Sequence, residues 1–181
     1  ESARRRMSRD GRRVLKATLA AAERRTASRA VRRTTEREAD GKLQFVENPP
    51  TMVRFRLDEA TTADGFDRAD SVHALFARYR ETVTIDVDTV LAQYEPTDLA
   101  RRVVGVGSVG TRCYLQLLQG ADDDALLLQV KEAGESVLSQ YGRIPQPARI
   151  ADGVAAHGEG FRVVGMQRVL QAVSDPFLGH L

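Results

Sequence analysis

The chain has a single cysteine, no tryptophan, and few aromatic residues of any kind, which make up 6% of its 181 residues. One cysteine excludes an internal disulfide and is typical of proteins from a reducing compartment, so we expect a cytoplasmic location. The sequence has no apolar run of the roughly 18 residues that a membrane-spanning helix needs. Its arginine-rich start also lacks the apolar stretch of a secretory signal. We therefore expect no membrane partner. Because the chain begins with Glu and not with Met, we expect it to be part of a longer one.

The chain does contain 42% hydrophobic residues, enough for a core, and its charge is unevenly distributed. Residues 1–37 hold 13 Arg or Lys against 4 Asp or Glu, whereas residues 38–181 hold 14 against 21. Such an asymmetry can mark an arm that binds nucleic acid. However, no aromatic residues interleave with the arginines, and no nucleic-acid motif follows them. We predict that the basic end packs against the acidic remainder and that nucleic acid is not a partner.

Residues 1–98 are predicted to form a mainly helical N-terminal segment. One long helix fits residues 8–38, with Ser8 as its N-cap and Gly41 just beyond its end. Its apolar stripe is thin, so this helix can pack on a neighbour but cannot be central to a core.

The rest of this segment changes period. Alternating apolar and polar residues predict a short extended pair within 42–57, on either side of Asn48-Pro49-Pro50. Residues 58–70 are acidic and polar, which predicts a loop. Helical spacing then predicts two amphipathic helices, at 72–83 and 87–94, with Pro96 ending the second.

Residues 99–181 are predicted to form a three-stranded antiparallel sheet with a glycine loop and one packed helix. The whole chain is thus expected to be of the α+β class. The predicted strands are 102–106, 111–118 and 126–131, and the predicted packed helix is 153–173. Between them we expect a short helix at 135–141 and a loop at 142–152, and we expect a strand to begin at 177–181.

The organising feature of this second part is the glycine cluster Gly105-Val-Gly107-Ser-Val-Gly110, for which two folds compete. In a Rossmann-type dinucleotide-binding domain, these glycines would open a helix. In a β-hairpin they would form the tip, and a strand ending on Lys131 would follow. The alternation from Thr111 to Leu117 has period two and favours the hairpin. A glycine loop followed by a strand-three lysine is the arrangement of a protein-kinase N-lobe, in which both contact phosphates. A third interpretation is a plain glycine-rich hairpin in an interaction module that acts through its basic helix.

Three stretches carry a resemblance to a known family. They are Arg102-Val-Val-Gly-Val-Gly-Ser-Val-Gly-Thr-Arg-Cys, Leu128-Gln-Val-Lys-Glu-Ala, and the helix with Arg162-Val-Val, Gln167-Arg168 and Gln171-Ala-Val-Ser-Asp175. In these the chain resembles domain of unknown function 2252, an uncharacterised bacterial family frequent in actinobacteria. The resemblance implies that the chain is a fragment, since family members carry further segments upstream and downstream. Those segments are similar to the catalytic and metal-binding loops of phosphotransferases that act on small molecules.

The resemblance favours the kinase-like interpretation, with ATP and Mg²⁺ as the implied cofactor and an unknown small molecule as substrate. Gly105, Gly107, Ser108 and Gly110 would then cradle phosphate through their backbone N–H groups. Lys131 would hold the α- and β-phosphates, with Glu159 as its carboxylate partner and Glu135 as the alternative. No Asp of the chain stands in a recognisable catalytic-base motif, and no residue is assigned as a metal ligand. The fragment alone is therefore expected to bind nucleotide without transferring phosphate.

Overall fold

The computed structural model describes residues 8–23, 27–55, 72–103, 105, 110–122 and 124–181. In these residues helices are combined with antiparallel sheets, which confirms the predicted α+β class. The helices are α1 (Arg9–Glu23), α2 (Ala27–Thr34), α3 (Val72–Arg80), α4 (Ile85–Leu91), α5 (Val137–Gln140), α6 (Ala148–His157) and α7 (Glu159–Leu170). The strands are β1 (Thr35–Arg37), β2 (Leu43–Phe45), β3 (Met52–Arg54), β4 (Glu95–Arg102), β5 (Cys113–Gln119) and β6 (Ala125–Lys131). No helix in this part of the chain is long and apolar enough to span a membrane.

Strands β3, β4, β5 and β6 form one antiparallel sheet in that order, and β1 and β2 form a separate two-stranded ribbon. The pairing of β5 with β6 runs from Cys113 opposite Lys131 to Gln119 opposite Ala125. This confirms the predicted antiparallel strands joined through the acidic turn. It excludes the Rossmann alternative, which requires a helix where β5 lies.

The first strand of the sheet was predicted wrongly. It was expected at 102–106, but β4 spans Glu95–Arg102, and β3 adds a fourth strand that pairs with its last three residues. Pro96, expected only to end a helix, lies inside β4. Pro96 faces Leu118 of β5 and lies directly beside the register shift in β4, a kind of position where proline is tolerated in a sheet. The predicted division of the chain after residue 98 falls within this strand.

The helical structure predicted to continue from residue 8 to residue 38 ends earlier than predicted. Its last helix, α2, stops at Thr34, and Thr35–Arg37 pairs with β2 as strand β1. The hydroxyls of Thr34 and Thr35 donate hydrogen bonds to the carbonyl groups of Ala30 and Val31, each at 2.8 Å, and such local bonds favour a helix end. Continuity across 24–26, like the loop predicted at 58–70, lies outside the described residues. The side chains of residues 8–20 are exposed or half-exposed, whereas α2 buries Val31.

The two extended pieces predicted within 42–57 are confirmed as β2 and β3, and the two helices after them as α3 and α4. Further on, the loop predicted at 142–152 is wrong, because α6 begins at Ala148 directly after Pro147. The single helix predicted at 153–173 is in fact two helices. Gly158, with a φ of 77°, separates α6 from α7.

The main sheet is covered on both faces. We call the face covered by α2 and the β1–β2 ribbon the ribbon face, and the face covered by α3 and α4 the helix face. The ribbon-face core contains Val31, Leu43, Phe45, Met52, Ala100, Leu115 and Leu117. The helix-face cores contain Leu75, Phe76, Tyr79, Val87, Leu91, Leu99, Tyr114 and Leu118.

A buried carboxylate, Asp98, joins the ribbon to the sheet. Its side chain is 6% exposed, and Oδ2 accepts hydrogen bonds from the backbone N–H of Phe45 and from Arg54 Nε, both at 2.8 Å. The register shifts just before it, since Pro96 faces Leu118 but Asp98 faces Leu117. One extra residue in β4 therefore turns Asp98 toward the ribbon face.

We expect Asp98→Ala to lower the free energy of unfolding by about 3 kcal/mol, because it removes the acceptor of the buried Phe45 N–H and of the Arg54 Nε–H. Urea denaturation followed by circular dichroism measures the change. The matched control is Asp88→Ala, which breaks the half-exposed pair with Arg80 and should cost about 1 kcal/mol or less. Equal losses in the two variants would contradict the structural role of Asp98.

Candidate functional site

The connection between β4 and β5 carries the glycine cluster. Gly105 and Gly110, near its two ends, have φ values of 70° and 87°, a region that residues with a side chain rarely adopt. Both are exposed, and a Cβ at either position would meet no atom within 4 Å. The glycines are thus required by backbone conformation and not by crowding. Gly107 and Ser108 lie outside the described residues.

Lys131 lies at the base of this connection. It is the last residue of β6 and pairs with Cys113, the first residue of β5. One residue further, Arg112 and Glu132 continue the ladder: the Glu132 N–H donates to the Arg112 carbonyl at 2.9 Å, and the Arg112 N–H donates to Glu132 Oε2 at 3.0 Å. The end of the glycine connection is therefore fixed to the strand that carries the lysine.

Lys131 is an exposed cation beside a buried neighbour, Cys113. The lysine side chain is exposed, while its neighbour Cys113 is only 2% exposed and accepts a hydrogen bond from Gln129 Nε2 at 3.3 Å. Strand alternation places Lys131 on the ribbon face, since Val130 packs with Leu75 on the helix face. The carboxylates of the described residues form no ion pair with Lys131. The charge of this lysine is thus directed at solvent, next to the glycine connection.

Glu159, the expected partner of Lys131, makes a different contact. In the first turn of α7, its Oε2 lies 2.5 Å from Arg162 Nε, and Arg162 also donates to the Gly134 carbonyl at 2.7 Å. Glu159 is therefore linked through Arg162 to the segment that follows β6, and it is not paired with Lys131. The alternative partner, Glu135, is exposed.

The last residues of the chain form a strap, residues 176–181, that joins α3 to α7. The expected strand at 177–181 is wrong, because side chains and not a neighbouring strand bind this backbone. Tyr79 donates to the Phe177 carbonyl at 2.7 Å, and Arg168 donates to the Leu178 carbonyl at 2.7 Å. Thr82 exchanges hydrogen bonds with the backbone of residue 180. A Cβ on Gly179 would lie 2.7 Å from the Tyr79 ring, so only glycine fits there.

Three rings meet where the strap reaches α6 and α7. The ring centroids of His157, Phe161 and His180 lie 5.6 to 6.0 Å apart. Burial, with smaller effects from His157 and Arg168, lowers the pKa of His180 below its usual value. Among the residues that the structure describes, no three His, Cys, Asp or Glu side chains are grouped so as to hold a metal ion. The ring contacts pack His180 of the strap against His157 and Phe161.

A family model described as an uncharacterized protein conserved in bacteria (DUF2252) matches residues 2–181, so the chain belongs to this family. No curated protein and no solved structure matches it.

Arg102 has a different position from the predicted one. The sequence predicts it as the first residue of a strand at 102–106, whereas it is the last residue of β4, where the glycine connection begins. Its position relative to Lys131 depends on the register of three strands. A local motif does not carry that information.

The strap gives a pH prediction. Burial, with a smaller effect of the Asp175 charge, raises the pKa of Tyr79 to about 12. The folded pKa is above the unfolded one, near 10, so this contribution to stability is full below pH 10 and is lost as the pH rises toward 12. Tyr79→Phe should lose about 1 kcal/mol at pH 8 with the hydrogen bond to Phe177. Above pH 10, this variant should lose less stability with rising pH than the unchanged chain does, because it lacks the Tyr79 hydroxyl.

Urea denaturation between pH 8 and pH 11.5 tests this prediction. Tyr141→Phe is the control, because that side chain is 76% exposed and should change stability little. The same pH dependence in the Tyr79→Phe variant and in the unchanged chain would contradict the role given to Tyr79.

Proposed function

We propose that this chain is the phosphate-binding lobe of a kinase-like phosphotransferase. The glycine connection and Lys131 bind the phosphates of a nucleotide such as ATP, and the unknown second substrate is a small molecule. The observation that carries the proposal is the position of Lys131 beside Cys113, where the glycine connection enters β5.

Each part of this site has a physical role in binding phosphate. Glycines in left-handed conformations let backbone N–H groups approach an anion closely. Lysine supplies a compact positive charge that suits a phosphate oxygen. The Arg112–Glu132 ladder would limit movement of the connection relative to this charge. Exposure of Gly105, Gly110 and Lys131 leaves the ligand an open path.

In this proposal Mg²⁺ would accompany the nucleotide and would be held mainly by its phosphate oxygens and water, as Mg²⁺ often is at such sites. It would neutralise charge that develops on the transferred phosphoryl group. We assign it no ligand among the described residues. Glu159 would have a structural role in this lobe. It binds Arg162, and Arg162 in turn binds the Gly134 carbonyl, which links the segment after β6 to α7.

An interaction module remains the second candidate, and one observation favours it. Helix α1 presents Arg9, Arg12, Arg13 and Lys16 on exposed positions, and its Val14 side chain is 62% exposed. A helix of this kind suits an anionic partner surface. The two candidates differ in which charges matter: a module depends on α1, whereas a phosphotransferase lobe depends on Lys131.

We expect Lys131→Ala to weaken ATP binding by about 10-fold, the loss of one charge-assisted hydrogen bond. The melting temperature should change little, because an exposed strand-end lysine buries little surface. Isothermal titration with ATP and Mg²⁺, alongside a thermal melt, measures both effects.

The matched control is Lys42→Ala. This lysine is also exposed, but it precedes Leu43, whose N–H binds Gln119 at the far end of β5, about 20 Å from Cys113. Binding should be unchanged in this variant. Absence of ATP binding to the unchanged chain, or equal effects of the two substitutions, would refute the proposed function.

A further inference from the structure

The register of the sheet places a second cation beside Lys131. Arg102 pairs with Met52, Arg101 pairs with Tyr114, and Cys113 pairs with Lys131. Because Arg102 follows Arg101 and Cys113 precedes Tyr114 in the antiparallel strand, Arg102 stands opposite Cys113. Met52, Arg102, Cys113 and Lys131 thus form one row across the four strands, at the end of the sheet where the glycine connection begins and ends.

Arg102 and Lys131 also share a face. Ala100 and Leu115 are paired and buried in the ribbon-face core, and alternation carries Arg102 and Cys113 to the same face. The two cations stand two strand spacings apart, about 10 Å between backbones. Arg101, the neighbour of Arg102 in sequence, points to the helix face.

Neither cation of this row forms an ion pair with a carboxylate of the described residues. Arg102 is half-buried, while Lys131 is exposed. Between them lies the small, buried side chain of Cys113. Two unit charges about 10 Å apart in water repel each other by only about 0.4 kcal/mol. The fold therefore tolerates both cations without a carboxylate between them.

We propose that Arg102 is the second phosphate-binding cation of this site, and that the pair selects two linked phosphates over one. This inference rests on the proposed function. An arginine fork holds the oxygens of one phosphate through two parallel hydrogen bonds. Lysine holds the next phosphate as a point charge. Orthophosphate engages one cation at a time, whereas a pyrophosphate unit engages both.

The chain offers a closely matched pair of variants. Arg102→Ala and Arg101→Ala remove the same charge from neighbouring positions of one strand, but on opposite faces. Isothermal titration at 0.15 M salt with orthophosphate, inorganic pyrophosphate, AMP and ATP separates the phosphate chain from the nucleoside as the source of binding. Salt at this concentration screens charges beyond roughly 8 Å, so an effect common to any removed cation stays small.

We expect the unchanged chain to bind pyrophosphate and ATP about 10-fold more tightly than orthophosphate and AMP, the gain from one added charge-assisted contact. Arg102→Ala should abolish this preference, Arg101→Ala should keep it, and Arg102→Lys should keep part of it. Thermal melts identify any variant that has lost its fold, and Arg102→Gln, which retains most of the stem, then replaces Arg102→Ala.

The outcomes separate the inference from the proposed function. If Lys131→Ala weakens binding and Arg102→Ala matches Arg101→Ala, the inference about Arg102 is wrong and the proposed function stands. If pyrophosphate binds no better than orthophosphate, selection of linked phosphates is wrong. If none of the four ligands binds, both the inference and the proposed function are wrong.

Discussion

The structure depends on the Asp98 carboxylate and on the register shift that directs it. Pro96 faces Leu118, but two residues later Asp98 faces Leu117, so every later residue of β4 lies on the face opposite to the one that an unbroken register would give it. This phase brings Asp98 to Phe45 and Arg54, which attaches the ribbon to the sheet. It also places Arg102, and not Arg101, on the same face as Lys131. One irregularity thus determines both the packing of the ribbon and the charges beside the glycine connection.

Local patterns predicted β5 and β6 because each strand carries its own signal. Alternation marks β5 and a continuous apolar run marks β6, and their short acidic connection permits only antiparallel pairing. Strand β4 has no such signal, since it contains a proline, a buried aspartate and two terminal arginines. The partner that makes Asp98 acceptable in a core is Arg54, 44 residues earlier in the chain. No window of neighbouring residues contains that information.

The helix boundaries near the C-terminus were predicted wrongly because proline and glycine each have more than one structural role. Pro147 lies in the predicted loop 142–152, but proline is also favoured where a helix begins, and α6 begins directly after it. Gly153 permits close packing, since a Cβ there would lie 2.0 Å from the Phe161 ring. Gly158 instead ends a helix through its positive φ. The residue type was the same, and only tertiary context distinguishes the two roles.

The candidate site was predictable to the extent that it is local. Gly105, Gly110 and Lys131 stand out in the sequence, and antiparallel pairing of β5 with β6 is enough to bring the lysine to the base of the glycine connection. The link from Glu159 through Arg162 to Gly134 was not predictable, because it depends on where α7 begins. Predicting that Arg102 lies on the same face as Lys131 would require still more information, namely the register shift in β4 and the pairing of β4, β5 and β6. The motif therefore indicates which ligand chemistry to test, while the register of the sheet determines which charged residues lie beside the glycine connection.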